Sequence, residues 1–110
     1  MIIEEQYKEF EKELKSLKSK KARLNVLKNY KNLSEHDKNE LSKLQDEIEI
    51  FEKALESMNY ILKNIIIKYY IEEEKLKNIA DNIGYSFSYC SKKKKEAVKL
   101  LSYLINGKEI

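Results

Sequence analysis

The residue types able to engage a ligand gather in one stretch of the chain. Ser86-Phe87-Ser88-Tyr89 is followed by Ser91, then by Lys92-Lys93-Lys94-Lys95, with Lys99 four residues beyond. Ammonium groups in such a cluster attract phosphates, and short or aromatic side chains just ahead of them can approach base edges. Other chemistries lack their parts. One histidine and one cysteine in 110 residues are a poor basis for a Cys/His zinc site or a Ser-His-Asp triad. His36 stands between Glu35 and Asp37, but three consecutive loop residues rarely converge on one ion. No phosphate-binding glycine loop and no nucleophile with its base are visible, so the expectation is a protein that is not an enzyme and uses no cofactor or metal.

Composition sets the class. Charged residues make up 37% and the hydrophobic set 42%, with two glycines and no proline. This predicts an all-α protein. The lone cysteine excludes an internal disulfide framework and fits a reducing compartment. Met1-Ile2-Ile3-Glu4-Glu5 lacks the basic start and apolar stretch of a signal peptide, and no apolar run approaches the roughly 20 residues that span a bilayer. A cytoplasmic protein without membrane partners is expected. The net charge of +3 is uneven: residues 1–58 carry net −1 and residues 59–110 net +4. The chain thus divides near Met58-Asn59 into a helical arm (1–58) and a basic unit (59–110).

The arm reads as two helices. Ile3, Tyr7, Phe10, Leu14 and Leu17 alternate in steps of 4 and 3, the rhythm of a coiled-coil seam. Lys21 breaks that seam before Leu24 and Leu27. Glu4/Lys8 and Glu11/Lys15 are spaced as outer-face pairs. Ser34 with Asp37 approximates a capping box, after which Leu41, Leu44, Ile48, Phe51, Leu55 and Met58 keep the seam rhythm. An antiparallel helical hairpin follows, its narrow stripes filled by each other, by a second copy or by a protein partner. The rhythm extends to Leu62, Ile65 and Tyr69, so the second helix either continues or bends near Asn59.

The basic unit reads as three helices. Residues from Tyr60 to Ile71 form a wide apolar stripe, with Tyr69 and Tyr70 at the core or its rim. Glu72-Glu73-Glu74 precede Leu76, Ile79, Ala80 and Ile83, and are expected to open that short helix. Gly84 suits a left-handed helix end, and Ser86 an N-cap for the last helix, whose Cys90, Ala97, Val98, Leu101, Leu104 and Ile105 share one side. Cys90 is expected to be a core hydrophobe. Helix, tight turn and helix over 75–104 make the layout of a helix-turn-helix, whose second helix enters the major groove.

Tyr69-Tyr70-Ile71, Ile79-Ala80, Ile83-Gly84-Tyr85-Ser86, Glu96-Ala97-Val98 and Leu101 together resemble the helix-turn-helix of sigma-factor region 4, and more closely the related phage regulators of ArpU and RinA type. The resemblance covers roughly residues 60–104. It implies a tri-helical DNA-binding domain and a role in transcription, with Phe87, Ser88, Ser91 and Lys92 at base-reading positions. Glycine is usual where this chain has Glu73, a Ser or Thr cap where it has Lys75, and aliphatic residues where it has Cys90 and Lys93. The expected contact set is Ser86, Phe87, Ser88, Tyr89, Ser91, Lys92, Lys94, Lys95 and Lys99. The expected partners are double-stranded DNA, a second copy through the arm, or RNA polymerase. The rival expectation is a phage small terminase-like packaging subunit or a coiled-coil adaptor.

Overall fold

The computed structural model describes residues 2–107, with side chains from Glu4 onward, so the seam position expected at Ile3 lies outside the described side chains. The described residues are all-α. They form α1 (Ile2–Lys28), α2 (Glu35–Glu56), α3 (Tyr60–Ile66) running into a π-helical turn (Ile67–Ile71), α4 (Leu76–Ile83) and α5 (Phe87–Asn106). No helix among them is long and apolar enough to cross a membrane.

α1 and α2 lie antiparallel because their stripes fill each other. Leu24 and Leu27 pack on Leu44 and Ile48, while Phe10, Leu14 and Leu17 share a cluster with Phe51, Ala54, Leu55 and Met58. Lys21 falls between these two apolar clusters, with its ammonium 3.9 Å from Glu52. The flanks add Lys20 to Glu47 at 2.8 Å and a two-pronged Arg23–Glu40 pair at 3.0 Å on each prong. Ser34 caps α2 by accepting from the Asp37 amide. Both seams are therefore occupied within one chain.

The second helix does not continue into the basic unit. α2 stops at Glu56, and the Asn59 side chain accepts the Leu62 amide at 3.0 Å to cap α3 afresh. An Asn side chain that competes for backbone donors favours such a cap over helix interior. The core nonetheless crosses the charge boundary near Met58. Phe10, Leu14, Phe51 and Leu55 from the arm join Leu62, Ile66, Tyr70, Ala97, Val98 and Leu101 in one cluster. Ile65, Ile79, Ala80 and Cys90 form a smaller one beneath α4.

The acidic trio does not open α4. Glu72 closes the π-helical turn, Glu73 takes a left-handed backbone (φ 57°), and the Glu74 amide donates to the Lys68 carbonyl. The three residues are used up in reversing the chain, and α4 starts at Leu76 with no side-chain cap from Lys75. Only glycine adopts that backbone without Cβ crowding. Replacing Glu73 by Gly should therefore raise stability by about 0.5–1 kcal/mol, read from urea unfolding. The Lys18–Glu73 pair it removes is exposed and contributes little.

Candidate nucleic-acid interface

α5 owes its orientation to its ends and its inner face. Gly84 adopts φ 78°, and the Tyr85 amide closes on the Ala80 carbonyl at 3.0 Å. That turn frees Ser86 to cap α5, its hydroxyl accepting the Tyr89 amide at 3.1 Å. Cys90, Ala97, Val98 and Leu101 are fully buried, and burial pushes the Cys90 thiol pKa up. Ala80 and Ala97 leave room for the helices to approach.

With that face inside, Ser86, Phe87, Ser88, Tyr89, Lys92, Lys95 and Lys99 are exposed, and Ser91 is half-buried. At about 100° per residue, Ser88, Lys92, Lys95 and Lys99 fall within about 60° of one another. Ser91 lies on one flank of this stripe, and Phe87 lies farther round, about 20° from Lys94, exposed because it is the first residue of the helix. Phe87 borders a shallow hollow with Tyr69, Leu76, Lys75 and the two glutamates Glu73 and Glu74. Tyr85 and Tyr89 stack with ring centroids 4.5 Å apart. Among the described residues Lys92, Lys95 and Lys99 pair with no carboxylate. The first turn of α5 also holds no acidic residue, so its positive dipole end is uncompensated.

The four consecutive lysines split into two kinds. Lys93 folds back on Glu96 at 3.1 Å and lies 5.4 Å from the Tyr89 ring, and Glu96 raises its pKa. Lys94 does not belong to the open face. Its ammonium sits 3.2 Å from Glu11 and 4.3 Å from the Tyr69 ring, with 17% of each side chain in the ion pair exposed. The helical period turns position 94 toward α1, where Glu11 neutralises it. Glu11 also accepts from the Tyr70 hydroxyl. It had been expected to pair with Lys15, four residues away on the outer face. The sequence signal for its inward role is weak: it stands four residues after Tyr7 and beside Phe10, on the seam's flank.

Two phenols report on this inner site. Burial, and then Glu11, push Tyr7 up to about 12, and burial with the Glu11 hydrogen bond raises Tyr70 further. The buried Tyr7 hydroxyl has no hydrogen-bond partner among the described residues. Comparison with protein families, with characterised proteins and with solved structures gives no match.

Two outcomes follow from the inner site. Replacing Lys94 by Ala strands Glu11 and should cost about 1–3 kcal/mol in urea unfolding, whereas Lys95→Ala should stay within about 0.5 kcal/mol. Tyr7 ionises near 10.0 when unfolded and near about 12 when folded. Its ionisation does not affect stability below pH 10, and stability falls as pH rises from 10 toward 12, because burial penalises the phenolate in the folded chain. Tyr7→Phe should leave neutral-pH stability unchanged or higher and make the alkaline fall shallower, followed by circular dichroism with tyrosinate absorbance.

Proposed function

We propose that the protein is a cytoplasmic, non-enzymatic DNA-binding regulator that seats the leading end of α5 in the major groove. The observation that carries this is the exposed stripe Ser88–Lys92–Lys95–Lys99, free of paired carboxylates and continuous with the helix tip. From Ser88 to Lys99 the helix rises about 16 Å, against a major groove about 12 Å wide. The tip would then face base edges while the later lysines reach phosphates on the groove wall. α4, the Gly84 turn and α5 supply the helix-turn-helix of this reading, and the resemblance to sigma-factor region 4 supports the same face. The contact set is Ser86, Phe87, Ser88, Tyr89, Ser91, Lys92, Lys95 and Lys99. Lys94 holds α5 to α1 instead. A second copy, or RNA polymerase, would bind through surfaces other than the arm's seams, since α1 and α2 fill those for each other.

Fluorescence anisotropy with a labelled duplex across a salt series tests the reading. Three phosphate contacts give a slope of log K against log salt of roughly −2.7, and Lys92→Ala with Lys95→Ala should make it shallower by roughly 1.8. Binding indifferent to salt, or unchanged in the double variant, would remove the proposal.

A further inference from the structure

The same face carries a finer inference, which rests on the duplex-binding reading. Phe87 is 58% exposed at the first position of α5, whereas Phe10 and Phe51 are buried. Its ring has no polar atom to satisfy in water, unlike the exposed tyrosines beside it. The residues from Ser86 to Lys95 include no Arg, Asn, Gln, Asp or Glu. The side chains that pair bidentately with adenine, or accept from the cytosine amine, are thus missing from the leading turns of the helix. Beside Lys92 and the phenol of Tyr89, these turns offer the groove one wholly apolar ring, with the small hydroxyls of Ser88 and Ser91 nearby. The one apolar feature of a base pair in the major groove is the thymine 5-methyl group.

We propose that Phe87 is a specificity-determining residue of the interface and selects duplexes by contact with thymine methyl groups. Lys95 and Lys99 set affinity without regard to sequence, and Lys92 can also meet guanine acceptors. The serines tolerate either base beside the methyl, since a hydroxyl both donates and accepts. Phe87 lies about 100° around the helix from Ser88, on the same side as Lys94, and is open only because it stands at the tip, above the hollow it shares with Tyr69 and Leu76. It can therefore press on a methyl only where the leading end of α5 enters the groove first.

The test uses two duplexes of about 20 base pairs, two helical turns, with alternating adenine and thymine or alternating adenine and uracil. Uracil removes the methyl and leaves the phosphates and the pairing edges in place. The full chain should bind the thymine duplex about four-fold more tightly for each methyl contacted. In Phe87→Ala the ratio should fall to about one, with the salt slope unchanged. Circular dichroism should be unaltered, because the ring is outside the core. Equal affinity of the unsubstituted chain for both duplexes, with normal salt dependence, overturns the methyl contact and leaves the DNA-binding reading standing. A thymine preference that survives in Phe87→Ala overturns the assignment to this residue. Absence of salt-dependent binding to either duplex overturns both readings together.

Discussion

Burial of one face of α5 fixes the geometry of everything else. Cys90 sits on Ile65, Ile79 and Ala80, while Ala97, Val98 and Leu101 sit among side chains of α1, α2 and α3. All four are fully excluded from solvent. Apolar burial scales with area removed from water. A turn of the helix by one residue, about 100°, would bring lysines into that core and expel the apolar face. The burial of charge without a partner makes that arrangement prohibitive. The outward face of α5 is thus determined by its inward one, and the lysines at 92, 95 and 99 are exposed because the residues between them cannot be.

The Glu11–Lys94 contact has a different role. A pair so far withdrawn from water gains little net stability after its desolvation cost, but removal of one member strands the other. It therefore works as a register mark between α1 and α5. Tyr70 donates to the same carboxylate, and Tyr69 lies under the same ammonium, so the π-helical turn after α3 is tied in as well. One carboxylate from the arm thereby locates two elements of the basic unit.

The helical class and the helix ends were legible because they depend on local chemistry. Ser34, Gly84 and Ser86 stand where capping and left-handed ends require them, and they play those parts. The inner face of α5 followed from its period at Cys90, Ala97, Val98 and Leu101, but Leu104, expected on the same side, is exposed near the helix end, where no neighbour among the described residues covers it. What the chain order concealed was tertiary. Glu11 looked like an outer-face residue, since its local partner Lys15 is four positions away and Lys94 is remote in sequence. The lysine run looked uniform, since a string of identical residues does not say which members the helical period turns inward. The acidic trio looked like a helix start, because a π-helical turn and a left-handed Glu leave little mark in composition. For the proposed site, the positions of Ser88, Lys92, Lys95 and Lys99 on the open face were readable from spacing, whereas the withdrawal of Lys94, and the place of Phe87 on that same side at the helix tip, were not.

The lysine at position 21 leaves the far end of the arm with a small apolar cluster of its own. Leu24, Leu27, Leu44 and Ile48 are held there, separate from the large cluster that begins at Leu17 and Phe51. Cooperative units follow contiguous apolar packing. The distal end of α1 and the first turns of α2 thus form the section that can open while the rest stays closed. The arm's tip is thus packed apart from its root, and length can change at that tip without disturbing the helix that faces outward at the other end.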